Sequence, residues 1–150
     1  DYVADYIFEG DTLLVSEDGA NLLARSTPIA FSVSGRYWVN NHAHILKFDD
    51  MATQRLVEYY LNSISLAPWV SGMAQPKLNQ KALNSIPVPL PPKSEREKLV
   101  GELDDLADCI ERLEANQEQR LATLVSLKQS LLHRAFTGEL TATAPDLVPA

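Results

Sequence analysis

Apolar positions along this chain follow two regimes. Up to about residue 92 they come in short runs, and beyond it they recur at helical spacing for more than forty residues. In the first regime Thr12-Leu13-Leu14-Val15 runs into Glu17-Asp18-Gly19, and Ile29-Ala30-Phe31-Ser32-Val33 runs into Ser34-Gly35. Each reads as a short strand closed by a turn. Tyr37-Trp38-Val39 follows closely enough to pair back as a hairpin, and Gly10-Asp11 reads as a turn ahead of the first strand. After Asn40-Asn41-His42-Ala43-His44, the run Ile45-Leu46-Lys47-Phe48 predicts another strand. Asp49 or Asp50 then caps a helix over about Met51 to Ile64, whose face carries Leu56, Val57, Tyr60, Leu61 and Ile64. Trp69 to Lys77 reads as a loop fixed by Pro76, and Asn79 caps a short helix through Asn84.

The second regime opens after the proline run Ile86-Pro87-Val88-Pro89-Leu90-Pro91-Pro92. Ser94 and Glu97 have the spacing of a capping box, which predicts a helix from Ser94 to about Phe136. Leu99, Leu103, Leu106, Ile110 and Leu113 lie in a 4-3-4-3 pattern, so they form one stripe. Gln117 interrupts it, and Leu121, Leu124, Leu127, Leu131 and Ala135 resume it before Gly138, a C-terminal cap. At 1.5 Å per residue this helix reaches roughly 60 Å, more than a domain of this size covers. It requires another long helix against its stripe.

Composition narrows the function. The 150 residues are 45% hydrophobic, enough for one core of about ninety residues and the helical arm. Net charge is −7, with six basic against nine acidic residues up to position 90 and seven against eleven beyond it. Neither part has the basic excess of a protein that holds nucleic acid alone, so a partner must supply much of any phosphate contact. Cys109 is the sole cysteine, which excludes an intrachain disulfide and a four-cysteine zinc site. No segment has the apolar length of a membrane span and no signal peptide is visible, so a cytoplasmic protein is expected. The chain opens on Asp1 and runs straight into Tyr2-Val3-Ala4-Asp5-Tyr6-Ile7, which points to a longer native chain.

Candidate chemistry is sparse. His42 and His44 would share a face of a strand and form an H-x-H pair, but no local acidic or cysteine partner completes a metal site. The competing readings are backbone hydrogen bonding at a strand entry and, for Asn40, Asn41 and His42, contact with bases, since amides pair bidentately with adenine. Arg25-Ser26-Thr27 suits a surface loop and equally a phosphate contact. In the loop Val70 to Asn79, Gln75 is placed to face bases and Lys77 a phosphate, or the loop is simply a helix connection. No Walker loop, dinucleotide fingerprint, nucleophile elbow or methyltransferase motif occurs, so the chain offers no enzyme site.

Taken in order, Ser71-Gly72-Met73-Ala74-Gln75-Pro76-Lys77-Leu78-Asn79, the proline run with Glu95, and the long helix closing on Leu131-Leu132-His133-Arg134-Ala135-Phe136-Thr137-Gly138-Glu139-Leu140 resemble one family. It is the DNA specificity subunit of type I restriction-modification systems, in its C-terminal part; Gly10-Asp11-Thr12-Leu13-Leu14 and Val39-Asn40-Asn41-His42 look like its mid-domain strands. The resemblance implies a small mixed α/β target recognition domain, residues 1–90 and shortened at its N-terminus. A spacer helix over 93–138 would form an antiparallel coiled coil with a second helix, from the same subunit or a homodimer mate, and 139–150 would be a flexible tail. It further implies double-stranded DNA as ligand, one half of a split target read per domain, and methyltransferase and restriction subunits as partners. S-adenosylmethionine, ATP and Mg would belong to those partners, leaving no catalysis or metal here. The residues assigned to DNA are Arg25, Asn40, Asn41, His42, Gln75 and Lys77, and those assigned to the helix seam are Leu99, Leu103, Leu106, Ile110, Leu113, Gln117, Leu124 and Leu131. The rival readings are a coiled-coil scaffold that reads no DNA and a metal-dependent enzyme built on His42 and His44.

Overall fold

The computed structural model describes residues 5–72 and 74–140, so the opening residues 1–4, Met73 and most of the expected tail lie outside the described residues. Its elements are β1 (Phe8–Glu9), β2 (Thr12–Ser16), α1 (Asn21–Ala24), β3 (Ala30–Val33), β4 (Arg36–Tyr37), β5 (Ala43–Leu46), α2 (Met51–Ser63), α3 (Gln80–Leu83) and α4 (Lys93–Phe136). The fold is mixed α/β with one long helix. It divides into two compact units, Asp1–Glu102 and Leu103–Ala150, so the opening turns of α4 belong with the strands.

β2 is the middle strand of an antiparallel sheet of order β3-β2-β5, with Leu13 opposite both Ser32 and Leu46 and Val15 opposite both Ala30 and His44. Thr12, Leu13, Leu14 and Val15 are all buried, which is why this strand is a continuous apolar run and not an alternating one. Leu13 and Val15 join Leu22, Ile29, Val57, Leu61, Leu66, Leu78 and Leu83 in one core, with Tyr60, Ile64 and Trp69 packed at its edge. α2 therefore lays its expected face on the sheet. The hairpin expected between Val33 and Tyr37 does not form. β4 pairs instead with β1, Phe8 opposite Tyr37, and these two rings stack with centroids 5.8 Å apart. The Tyr37 hydroxyl also meets Thr12 Oγ1, and Gly35 O accepts from Gly10 N at 2.9 Å. Ring stacking and these two bonds draw the segment across to β1, leaving Trp38 exposed beyond it.

Both ends of α2 are tied down. Asp50 is the N-cap, accepting from Thr53 N at 2.6 Å and from Thr53 Oγ1. Those hydrogen bonds, with help from the charges of Lys93 and Arg96, hold its carboxyl below the usual range. At the other end Arg25 Nη2 donates to Leu61 O at 2.9 Å and Asn62 O at 2.7 Å, placing a cation on carbonyls that have no partner within the helix. Asn62 Oδ1 accepts from Ile29 N and Ala30 N, while its Nδ2 donates to Ala30 O at 2.7 Å, stitching β3 to α2.

α4 begins at Lys93, one residue ahead of Ser94, so Ser94 lies within the first turn and not at its cap. Pro92 O accepts from Glu95 N, and Arg96 reaches back to Pro91 O at 2.9 Å and to Thr53 Oγ1 at 2.8 Å. The helix starts where proline can no longer prevent it, and Arg96 fastens that start to the capped end of α2. Gly138, with φ of 80°, closes it as expected. At 44 residues α4 is about 66 Å long, and none of its residues is buried. Leu106, Ile110, Leu113, Leu124 and Leu131 are bare, with Leu106 56% and Leu124 62% exposed. One half-buried residue carries much of the sheet-to-helix joint. Asn62→Ala removes three hydrogen bonds and is expected to cost roughly 2 to 3 kcal/mol, read as a lower denaturant midpoint at unchanged slope.

Candidate nucleic-acid interface

Three connecting segments meet at one place: the turn after β2 (Glu17 to Ala20), the turn before β5 (Asn40 to His42) and the loop Ser71 to Asn79. Backbone bonds lock them together. Glu17 N donates to His42 O at 2.9 Å, Gly19 N to Pro76 O at 3.0 Å and Leu78 N to Glu17 O at 2.7 Å. The 71–77 loop is itself closed by Ser71 N to Lys77 O and Lys77 N to Ser71 O, at 2.9 and 2.7 Å. Leu78 follows immediately and is fully buried, so the loop leaves the core on a fixed stem. His44 completes the stem, its Nε2 lying 2.7 Å from Leu78 O.

Five of the six residues assigned to DNA lie on these segments. Asn40, Asn41, His42, Gln75 and Lys77 are all exposed. Asn40 Oδ1 accepts from His42 N at 3.1 Å, which sets the turn. Arg25 stands apart, its guanidinium engaged on α2 beside an open cavity of about 210 Å³ lined with Ser26, Thr27, Pro28 and Asn62. Its Nη1 has no hydrogen-bond partner, and burial lowers its pKa. His42 and His44 do not act as a pair, since one faces Asp18 and the other a backbone carbonyl. Among the described residues no group of three or more metal-ligating side chains forms.

Two carboxylates, Glu17 and Asp18, complete this surface. Glu17 Oε1 lies 3.0 Å from Lys77 Nζ, and Asp18 Oδ2 lies 2.8 Å from His42 Nδ1. Glu17-Asp18-Gly19 is visible in the sequence only as a turn, and nothing local reveals what its side chains face. The hydrogen bond and charge of Glu17, with Asp18 adding to them, raise the Lys77 pKa, so this ammonium is charged throughout the physiological range. The pair is half-exposed, which limits its contribution to stability. The surface thus presents amides, an imidazole and a cation, each cationic or ionisable group matched to its own carboxylate. Such an array can form directional hydrogen bonds to base edges, and holds little free charge for a phosphate backbone.

Gly72 shapes the loop. Its φ is +86°, and a Cβ there would stand 2.4 Å from the backbone oxygen of Gln75, a contact that backbone cannot relieve by side-chain movement. Gly72→Ala is expected to break the Ser71–Lys77 pairing. Hydrogen exchange should show both amides losing protection while those of α2 keep theirs.

The family model described as the type I restriction modification DNA specificity domain matches residues 1–123. A Haemophilus influenzae protein assigned as a type I restriction enzyme specificity subunit is 35% identical over 106 residues, 71% of this chain and 27% of that protein. The EcoDI specificity subunit of Escherichia coli is 42% identical over 77 residues, 49% of this chain and 17% of that one. The EcoBI specificity subunit of the same species is 33% identical over 97 residues, 59% of this chain and 20% of that one. The chain spans about a quarter or less of the length of each. A match that runs through the sheet, the three-segment surface and most of α4 is decisive at the level of family: this chain belongs to the type I restriction modification DNA specificity domain family.

Proposed function

We propose that this chain is a DNA sequence-reading module that does no chemistry itself, with residues 1–90 reading one half of a split target and α4 fixing its distance from the other. The observation that carries this reading is the convergence of Asn40, Asn41, His42, Gln75 and Lys77 on one locked surface, in a chain of the DNA specificity domain family. Amides and imidazole form the base-reading part, and Lys77 touches a phosphate. Arg25 sits at the margin of this assignment: its Nη2 is committed to α2 and its Nη1 is buried, so a backbone oxygen could meet this guanidinium only if it left those contacts.

α4 supplies the second half of the proposal. A stripe of leucines along a helix of this length stays exposed among the described residues, and hydrophobic burial makes another long helix its natural cover. An antiparallel partner, from a longer subunit or a second copy, would relate two reading surfaces by an approximate two-fold axis. Gln117 sits in the middle of this seam and disfavours sliding, because any other register buries its amide against leucine. Methyltransferase and restriction subunits would then dock on the assembled pair and bring S-adenosylmethionine, ATP and Mg. The acidic balance of the chain suits that division, since partners would hold the phosphates.

A scaffold that reads no DNA is the second reading, favoured by the pairing of Lys77 with Glu17 and His42 with Asp18. Two measurements separate them. Lys77→Ala in the assembled complex is expected to weaken duplex binding severalfold and to lower the salt slope by about one or less; an unchanged slope removes Lys77 from the phosphate contact. Leu106→Asp is expected to abolish association through α4, seen as a fall in solution mass or loss of partner binding. If that variant loses partners while the wild-type complex shows no sequence preference at all, the scaffold reading stands in place of the first.

A further inference from the structure

The geometry points to Asp18 as a positioning residue that sets which bases His42 accepts: by fixing the imidazole proton on Nδ1, it turns Nε2 into an acceptor for the exocyclic amino group of adenine or cytosine. This inference rests on the DNA-reading function proposed above. Asp18 lies on the turn after β2 and His42 on the turn before β5, and Glu17 N to His42 O at 2.9 Å holds the two turns in register. The carboxylate is mostly covered, its side chain 19% exposed, while the imidazole is 56% exposed. A part-buried acceptor therefore faces the inner edge of an outward-facing ring, 2.8 Å from Nδ1.

The chemistry follows from what each group can do. An ionised carboxylate only accepts, so Nδ1 must carry the proton in this contact. In the neutral ring that leaves Nε2 unprotonated, and Nε2 has no hydrogen-bond partner among the described residues. Which nitrogen of a histidine donates is set by the bond the other one makes, and here that bond is made inside the protein before any ligand arrives. In the major groove the only donors a base edge offers are adenine N6 and cytosine N4. Guanine and thymine present acceptors at the corresponding edge and would leave Nε2 facing a lone pair. The neighbouring charges agree with the assignment: Lys77 lies close enough to interact with Asp18 and favours its ionised, accepting form, while Glu17 is occupied by Lys77 at 3.0 Å.

The test is a binding-site selection from randomised duplexes with the complete subunit assembled with its methyltransferase partners. His42→Ala should relax one position of the selected sequence, where the wild type prefers adenine or cytosine, by roughly three- to tenfold, the range of a single hydrogen bond. Asp18→Ala should relax that same position, Asp18→Glu should restore part of the preference, and the Asp18→Ala/His42→Ala double variant should be no worse than His42→Ala alone. Nitrogen-15 spectra of the chain itself, at a pH high enough to keep the ring neutral, should place the proton on Nδ1 in the wild type and move it to Nε2 in Asp18→Ala. This second measurement needs neither DNA nor partners. The inference is overturned if Asp18→Ala weakens all sequences equally, if its effect adds to that of His42→Ala, if the wild-type proton sits on Nε2, or if the His42-dependent position prefers guanine or thymine. A selection that succeeds without any His42-dependent position overturns this inference and leaves the DNA-reading function intact. A selection that finds no preference depending on Asn40, Asn41, His42, Gln75 or Lys77 overturns both.

Discussion

The three-segment surface depends on one residue, Leu78. Its side chain is fully buried in the core, its amide donates to Glu17 O, and its carbonyl meets His44 Nε2. A single residue thereby joins the 71–77 loop to the end of β2 and to β5, and apolar burial supplies the force that keeps all three there. Loops ordinarily pay for their exposure with mobility; this one is drawn in at its base by a leucine that cannot leave the core without opening it. Gly72 and the Ser71–Lys77 pair then decide the shape of what remains outside.

A parallel device governs the other end of the unit. Thr53, in the first turn of α2, gives its amide and hydroxyl to Asp50 and accepts from Arg96 of α4. The start of the long helix is therefore referenced to the start of the helix that packs on the sheet. The proline run delivers the chain, and a charge-assisted bond sets where the helix begins.

What could be read in the sequence, and what could not, divides along the range of the interactions. β2, β3, α2, α3 and α4 announce themselves because apolar runs, caps and periodicity are local properties; Asp50 and Asn79 cap the helices expected of them. α1 was invisible because Ala20 at its N-cap makes no side-chain bond, and the helix exists to bury Leu22. β4 pairs with β1 and not with the neighbouring β3, a choice that rests on a ring stack between residues distant in sequence. The same distinction applies to the surface. Exposed amides and a lysine are legible as residue types, but that Lys77 answers to Glu17, His42 to Asp18 and Arg25 to the carbonyls of α2 is a tertiary fact in each case.

The pairing of Lys77 with Glu17 carries an implication for how such a module would search a genome. A bare lysine attracts every stretch of duplex alike, and a reading surface studded with them would linger at wrong sites. A lysine already answered by its own carboxylate gains little from generic phosphate, so the encounter is brief unless the bases also fit. On the proposed function, this surface contributes discrimination while grip comes from elsewhere. Rejection of the wrong sequence would then be fast, and residence time would be the quantity that separates a true half-site from the rest.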